Sequence, residues 1–301
     1  MKTNSYNIEL VTPCFCAGAN QAQAEIRPAS IRGQLRWWFR AMGGSKEEES
    51  SVFGAIAGDA GRSSSLLVRV RDIKSGPVWT RFPMNMGSPG AYLWFYASVS
   101  GKERGSTFGP RWNALTGHYP PASRFVLDIV WIRNLPNPEL QLKFDHALEA
   151  FLRFGGLGLR LTRGMGALHC LDYQTDLETT KARAGALFKS TFAFKFRDQF
   201  WAKWEDAVFD AELWLKNDLR KEFNATKVKS SPLGNSVGPR QTSAVYFRPI
   251  KFSDGRFSLL IFEAPHSRVL ESKSRRPAPV IENRPFTGPA PKGAPAQVRR
   301  Y

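Results

Sequence analysis

The stretch EIRPASIRGQLRWWFRAM, residues 25–42, predicts an amphipathic helix, which restricts the folds that the chain can adopt. Its apolar side chains recur at helical spacing and form one stripe: Ile31, Leu35, Trp38, Phe39 and Met42. Pro28 fixes the backbone just before the helix and Ser30 is a preferred N-cap residue, so we expect the helix to begin at Ser30. The stripe must pack against a second apolar layer.

A neighbouring face of the same helix bears three arginines at four-residue spacing, here called the arginine row: Arg32, Arg36 and Arg40. No acidic residue lies between Ile31 and Met42, so these guanidinium groups would repel one another without an anion. Two interpretations stay open. One is a solvated basic face whose arginine stems cover apolar surface, and the other is a phosphate-binding face, which the nearby Arg27 and Trp37 favour.

The charge of the whole chain also indicates a polyanionic partner. Its 43 Lys and Arg against 26 Asp and Glu give a net charge of +17 and a pI near 10.1, which favours nucleic acid first and an acidic membrane surface second. Residues 273–301 are basic and rich in proline, so we expect an extended tail that serves as a tether or only as a solubilising extension. The remaining residues are still strongly basic.

Length and composition indicate a globular chain. The 301 residues, 42% of them hydrophobic, are enough for two domains. The N-terminus lacks the apolar core of a signal peptide and no apolar run reaches membrane-spanning length, so we expect a cytoplasmic protein without a membrane partner. Cys14, Cys16 and Cys170 are too few and too poorly spaced for a zinc site, and we interpret them as reduced thiols, the first and last in strands. No cofactor or metal is expected.

Strands and helices alternate in the first half in a recognisable order. Strands are predicted at residues 6–13, 63–73, 91–99, 124–132 and 166–173. The arginine-bearing helix follows the first strand, and a second helix is predicted over residues 138–154. These five strands and two helices contain the order β-α-β-β-α-β, which indicates an α+β, ferredoxin-like domain. A Gly- and Pro-rich insertion at residues 101–123 is long enough to be a functional loop.

The second half is predicted to contain a long amphipathic helical stretch over residues 198–223 and a hairpin, residues 242–252 and 256–264, that turns near Asp254 and Gly255. We place the domain boundary between Asp172 and Gly185. The predicted divisions are an N-terminal domain of residues 1–175, a C-terminal domain of residues 185–272 and the tail of residues 273–301.

A glycine-rich loop, RFGGLGLRLTRGMGA at residues 153–167, precedes the last strand of the first domain. It contains Gly155, Gly156, Gly158, Gly164 and Gly166, with Arg153, Arg160 and Arg163. Glycines allow close approach of a backbone to a ligand and arginines supply charge, so the loop suits a phosphate chain. It is neither a P-loop nor a Rossmann fingerprint. The alternative is a connection that only closes the fold.

These two stretches resemble the RAMP superfamily, the RRM-like RNA-binding proteins of CRISPR effector complexes, whose mark is a glycine-rich loop before the last strand. The T-P-x-F segment at residues 12–15 and the E-I-R-P-x-S-I-R-G-x-L-R-W-W-x-R-A run are similar to the first-numbered RAMP subunit of the type III-B, or Cmr, complex. Phe53-Gly54 also resembles the family's F-G segment that leads to the second strand, and the Ser-Pro-Leu element at residues 231–233 resembles the family more weakly. The proline-rich tail has no place in this pattern.

The resemblance implies two tandem ferredoxin-like domains in a non-catalytic subunit of an RNA-guided antiviral complex. Such a subunit would lie at the head of the complex near the 3′ end of the CRISPR RNA (crRNA), with crRNA, target RNA and other Cmr RAMP subunits as partners. The implied RNA-binding residues are Arg27, Ser30, Arg32, Arg36, Trp37 and Arg40 of the helix, and Gly155, Gly156, Gly158, Arg160, Arg163, Gly164 and Gly166 of the loop. Trp37 would stack on a base.

Catalysis is expected elsewhere in such a complex, but two other functions stay open. A RAMP-class endoribonuclease that processes CRISPR RNA would need a general acid or base, for which His118 is the best candidate. His146, His169 and His266 are interpreted as packing or surface residues. A general RNA chaperone would explain the charge but not the conspicuous pattern of residues 30–41.

Overall fold

A computed structural model describes residues 2–20, 23–56, 61–79, 90–98, 117–188, 191–222, 233–234 and 243–265. The tail, His266, residues 101–116 of the insertion and residues 231–232 of the Ser-Pro-Leu element lie outside the described residues. The first-half elements are β1 Lys2–Leu10, α1 Pro28–Ala41, α2 Lys46–Phe53, β2 Leu66–Lys74, α3 Ala91–Ser98, β3 Arg124–Trp131, α4 Pro138–Phe154 and β4 Leu168–Cys170.

The second-half elements are α5 Leu177–Phe188, β5 Ala193–Phe196, α6 Trp204–Trp214, β6 Val245–Lys251 and β7 Phe257–Glu263. Helix α6 continues through a π-helical turn, Leu215–Leu219, into α7 Arg220–Glu222. The stretch predicted over residues 198–223 is thus helical from Trp204 to Glu222, and its first six residues are not helical. Among the helices that the structure describes, none is long and apolar enough to span a membrane.

The first four strands form one antiparallel sheet in the order β2-β3-β1-β4. Strands β1 and β3 are central, with Tyr6 opposite Leu127 and Ile8 opposite Phe125. Helices α1 and α4 pack against each other on the face where Ile8, Leu127 and their neighbours are buried. This is the strand order that the β-α-β-β-α-β connection produces, and the predicted α+β class is confirmed.

The prediction of a strand at residues 91–99 is wrong, because residues 91–98 form helix α3. The segment AYLWFYAS is almost continuously apolar, and such a run has neither strand nor helix periodicity. Leu93 and Trp94 are buried, and the Trp94 ring lies 5.8 Å from Trp204 in the second half of the chain. The Trp94 indole also donates to the carbonyl of Arg163, in the glycine-rich loop, at 3.0 Å. Among the described residues between β2 and β3, helix α3 therefore takes the place of the predicted strand.

The second half forms a three-stranded antiparallel sheet in the order β5-β7-β6. The predicted hairpin is confirmed, since β6 pairs with β7 from Val245 opposite Glu263 to Lys251 opposite Phe257. Gly255 in the turn has a φ of +83°, which favours glycine. The elements β5-α6-β6-β7 reproduce the first four elements of the ferredoxin-like pattern, with the strand order that β1, β2 and β3 show. A complete second ferredoxin-like domain stays a prediction.

The two halves share one aromatic core. Trp38 of α1 stacks on Phe188 and Phe192 at ring-centroid distances of 6.2 and 5.7 Å, and it lies 5.7 Å from Phe262 of β7. Tyr246 of β6 stacks on Phe262 at 4.8 Å. Helix α1 is consequently fixed by apolar contacts with both halves of the chain.

A buried carboxylate also joins the halves. Glu9 of β1 accepts from Arg124 of β3 at 2.7 Å and from Lys251 of β6 at 2.5 Å. Burial raises the pKa of Glu9, but the hydrogen bonds from Lys251 and Arg124 outweigh burial and bring the pKa below its ordinary value. The ionised form of Glu9 is therefore stabilised in the folded state.

Truncation of the tryptophan in the shared core should destabilise the protein strongly. We expect Trp38→Ala to lower the free energy of unfolding by about 3–5 kcal/mol, because it empties a buried aromatic site. Leu142→Ala, at a position 56% exposed on α4, should change it by less than about 0.5 kcal/mol. Chemical denaturation measures both, and equal effects would contradict a core that depends on Trp38.

The Glu9 contacts predict an acid-dependent stability difference. A lowered folded-state pKa means that the contribution is present above the ordinary pKa of 4.5 and is lost as pH falls through the folded-state value. We expect Glu9→Gln to cost about 1–3 kcal/mol at neutral pH, with the difference from the unaltered protein shrinking below about pH 4.5. Denaturation at a series of pH values tests this, and a difference that does not depend on pH would contradict it.

Candidate nucleic-acid interface

Helix α1 begins earlier than predicted, with its N-cap three residues before Ser30. It starts at Pro28, and the N-cap is Arg27, with an extended backbone (φ −93°, ψ 129°) and no capping side chain. The reason is that proline suits the first helical position and its predecessor prefers extended backbone. Ser30 is thus an exposed residue inside the first turn, not the N-cap. Arg27 is half-exposed and lies 3.9 Å from Glu25.

The arginine row does have a carboxylate partner, which the sequence did not suggest. Glu49 of α2 lies between two arginines, with Arg36 Nε 2.6 Å from its Oε1 and Arg40 Nε 3.7 Å from its Oε2. Arg32 donates through Nη2 to the Phe53 carbonyl at the end of α2. Helix α2 therefore offsets the mutual repulsion of the row that was expected to require an external anion.

The Glu49 side chain is much less exposed than the two arginines with which it pairs. The Glu49 side chain is 7% exposed, whereas those of Arg36 and Arg40 are 40% and 51% exposed. The carboxylate lies beneath the guanidinium groups, and a large part of each arginine remains accessible to solvent. Two cations that share one buried anion leave an outward excess of positive charge.

Trp37 lies beside the row but is half-buried. Its ring makes an edge contact with Trp38 at 5.1 Å and a tilted contact with Tyr246 of β6 at 5.3 Å. Stacking of Trp37 on an RNA base would use the part of the indole that these rings leave open, and it stays a prediction.

The glycine-rich loop packs tightly against the protein itself. A Cβ on Gly158, whose φ is +80°, would overlap the Phe15 carbonyl, and one on Gly166, whose φ is +61°, would overlap the Leu157 carbonyl. Side chains at Gly155 and Gly156 would likewise meet Phe151 and the guanidinium of Arg248. Four of the five glycines are thus explained by close packing within the fold, which supports the alternative of a connection that closes it. Gly164, at φ +84°, lies against Pro249 of β6.

The loop arginines are held by protein groups. Arg153 pairs with Glu149 at 2.8 Å and lies over the Tyr173 ring at 4.4 Å. Arg160 donates to the Leu93 carbonyl, with Nε at 3.1 Å. Their guanidinium groups therefore contribute to the packing of the loop.

Arg163 departs most from its predicted role in RNA binding. It is 5% exposed and donates to the Ser243 hydroxyl and the Leu233 carbonyl, both at 3.3 Å. Burial, and then the charges of Arg160 and Arg220, lowers its pKa to about 9. In this conformation it has no face open to a phosphate, because protein carbonyls from the second half of the chain surround it.

The described histidines are poorly placed for catalysis on RNA. His118 is buried, its ring stacks on Phe15 at 4.9 Å, and burial lowers its pKa. Both ring nitrogens are buried without a hydrogen-bond partner within the part of the chain that the structure describes. Burial also lowers the pKa of His169, in β4, to about 4. His146 is half-buried on α4.

The three cysteines are free thiols. Cys170 is in β4 as predicted, whereas Cys14 makes an isolated bridge with Tyr119 outside the strands. The Cys14 and Cys16 sulfurs are 3.4 Å apart. Among the residues described, no group of three or more His, Cys, Asp and Glu side chains could hold a metal ion.

Two residues of this region were missed by sequence reasoning. Glu49 sits in the acidic run at residues 47–49, and the Ser45 to Glu48 capping-box spacing was the available signal that this run begins a helix. Arg248 is fully buried in β6 with its Nη2 3.4 Å from the Leu161 carbonyl, and burial lowers its pKa to about 10. Nothing in the local pattern of β6 distinguishes Arg248 from an exposed strand arginine.

A sequence profile described as the RAMP superfamily matches residues 7–169. Because this match covers more than half of the chain and coincides with the four-stranded sheet, its helices and the glycine-rich loop, the protein belongs to the RAMP superfamily. Two relatives from Pyrococcus furiosus specify the resemblance further. CRISPR system Cmr subunit Cmr1-2 is 28% identical over 185 residues, which are 54% of this chain and 92% of that protein. Cmr subunit Cmr1-1 is 30% identical over 153 residues, 48% of this chain and 40% of that protein.

Solved structures show the same fold. The apo crystal structure of Cmr1 from Pyrococcus furiosus is similar with a TM-score of 0.55 at 19% identity, over 88% of each chain. A chain of the type III-B Cmr-beta structure bound to cognate target RNA, solved by cryo-EM, is similar with a TM-score of 0.52 at 10% identity, over 86% of this chain and 94% of that one. At these identities the matches establish the α+β fold.

The packing of the loop predicts unequal effects of two glycine substitutions. Gly166→Ala should lower the free energy of unfolding by at least about 2 kcal/mol, because it combines a positive φ with overlap on a backbone carbonyl. Gly185→Ala, in helix α5 with open space around its Cβ position, should raise it by up to about 1 kcal/mol. Thermal unfolding of the two variants measures both changes in stability. A Gly166→Ala variant as stable as the unaltered protein would mean that the loop is loosely packed.

Proposed function

We propose that this chain is the Cmr1-type RAMP subunit of a type III-B CRISPR effector complex and binds RNA through the exposed face of α1. The similarity to two Cmr1 subunits over about half of this chain supports the assignment. Its partners are then crRNA, target RNA and other Cmr subunits in the cytoplasm. A position at the head of the complex near the crRNA 3′ end follows from the same resemblance.

The RNA-binding proposal rests on the way in which the folded protein holds the arginine row. Arg36 and Arg40 present half-exposed guanidinium groups, fixed from below by one buried carboxylate. Arginine contacts phosphate oxygens through a planar set of donors, and an ordered pair loses less conformational entropy on binding than two free side chains. The row therefore suits the regularly spaced phosphates of an RNA backbone.

Contacts of this kind do not read sequence. They fix the path of the strand, and in an RNA-guided complex the pairing of guide and target supplies specificity. Arg27, Arg32, Arg36 and Arg40, with Trp37 as a stacking surface, form the interface that we propose. Among the loop residues, Gly164 and the exposed parts of Arg160 approach the strand, while Arg163 acts from inside by fixing the loop to β6.

The subunit is proposed to hold RNA without cutting it. His118 is packed between aromatic rings, and its lowered pKa keeps it neutral at physiological pH. A general acid or base must reach the reacting oxygen, and the buried ring nitrogens of His118 are enclosed by protein. Nothing in this geometry favours the endoribonuclease alternative.

The salt dependence of RNA binding tests the proposal. If about four phosphates are neutralised, log Kobs should fall with log salt at a slope of roughly −3 for single strands. The double variant Arg36→Ala/Arg40→Ala should flatten the slope by about 1.4 and weaken binding at 0.15 M salt by at least about tenfold. Filter binding or fluorescence anisotropy with a crRNA-length oligonucleotide measures both quantities.

The matched control removes the same charge from the second half of the chain. Lys203→Ala/Arg256→Ala changes two exposed cations outside α1 and should leave the slope nearly unchanged. Equal effects of the two double variants would mean that RNA responds only to the overall charge. Unchanged binding by the arginine variant would mean that the row is a solvated face and that the proposed interface is wrong.

A further inference from the structure

We infer that Glu49 is a positioning residue of the RNA interface, although it has the same charge as the RNA. The inference rests on the proposed function, because it concerns how Arg36 and Arg40 are presented to phosphate. A carboxylate next to a phosphate-binding face would ordinarily be expected to weaken binding by repulsion. The geometry of Glu49 points to the opposite effect, an increase in RNA affinity.

Both carboxylate oxygens of Glu49 are engaged, one with each arginine. Oε1 is 2.6 Å from Arg36 Nε, within hydrogen-bond distance, and Oε2 is 3.7 Å from Arg40 Nε, as an ion pair. A guanidinium group has five N–H donors and Nε is the one nearest the side-chain stem. Each of these contacts is made by the arginine nitrogen at the stem side, so Glu49 orients each guanidinium group from that side.

The position of Glu49 is itself fixed by the folding of α2. The Ser45 and Glu48 capping box closes the start of this helix, and Lys143 of α4 donates to Glu48 at 2.6 Å. At the other end, Val52 and Phe53 are buried in the shared core. The Ser65 backbone N–H donates to the Val52 carbonyl at 3.0 Å. The carboxylate thus has little freedom to follow the arginines if they move.

Without this carboxylate, Arg36 and Arg40 are like charges one helical turn apart, and they would separate into different rotamers. Binding RNA would then require both long side chains to be ordered again, which costs about 0.5–1.5 kcal/mol for each. The pairing with Glu49 supplies that order before RNA arrives. Because Glu49 is buried and lies beneath the arginines, a phosphate on the outer side meets the guanidinium groups first.

The test compares two substitutions that remove the same charge from the same helix. Glu49→Gln should weaken RNA binding about tenfold at 0.15 M salt and flatten the salt slope by about 0.7, as for the loss of one phosphate contact, although the protein becomes more positive. Glu47→Gln, on the exposed side of α2, should leave affinity unchanged or slightly higher. Circular dichroism and thermal unfolding establish that each variant is folded.

A third variant distinguishes the effect of the position of the carboxylate from the effect of its charge. Glu49→Asp keeps the negative charge but shortens the side chain, so it should also weaken binding, by less than Glu49→Gln. It provides the readout if Glu49→Gln does not fold. Binding by Glu49→Gln or Glu49→Asp that is as tight as that of the unaltered protein would overturn the inference.

The Arg36→Ala/Arg40→Ala variant distinguishes an error in the positioning role of Glu49 from an error in the proposed interface. If it loses RNA binding while the Glu49 variants do not, the proposed interface is supported and the positioning role of Glu49 is excluded. If it binds normally, the proposed interface falls and the inference falls with it. Tighter binding by Glu49→Gln, accompanied by a steeper salt slope, would identify Glu49 as a competitor of phosphate.

Discussion

The packing of Trp38 into an aromatic core shared by both halves of the chain is the constraint on which the rest depends. Phe188, Phe192 and Phe262 surround its ring, so α1 cannot rotate about its axis without emptying this site. Fixing the apolar stripe also fixes the face that bears the arginine row. The orientation of the proposed interface is therefore a consequence of core packing, and both halves of the molecule contribute to that packing.

A chain with a net charge of +17 must also keep its cations apart. Three carboxylates with little exposure each join two cations: Glu9 with Arg124 and Lys251, Glu49 with Arg36 and Arg40, and Glu149 with Arg153 and Arg183. The cations keep a larger exposed fraction than their carboxylates in all of these pairs except Arg153 with Glu149. Acidic residues are fewer than basic ones in this protein, and each of these three carboxylates neutralises two neighbouring cations.

The sequence was sufficient for features that depend on neighbours along the chain. The stripe of α1, the β6–β7 hairpin and the strand order of the first sheet follow from periodicity, turn chemistry and connection rules. Residues 91–98 were misassigned because a continuous apolar run has no period. Glu49 and Arg163 could not be interpreted in this way, since Glu49 pairs with arginines of a different helix and Arg163 bonds to residues 70 or more positions away. Only the tertiary structure reveals whether such a charged side chain is paired or buried.

The central claim is that the arginine row contacts RNA inside a CRISPR complex. The most direct measurement is ultraviolet cross-linking of a tagged complex from native cells, with mass spectrometry of the cross-linked peptides and sequencing of the attached RNA. The account predicts cross-links within residues 27–42 to small RNAs that contain spacer sequence, recovered together with other RAMP subunits. Cross-links confined to other segments, or to a broad mixture of cellular RNAs, would contradict it.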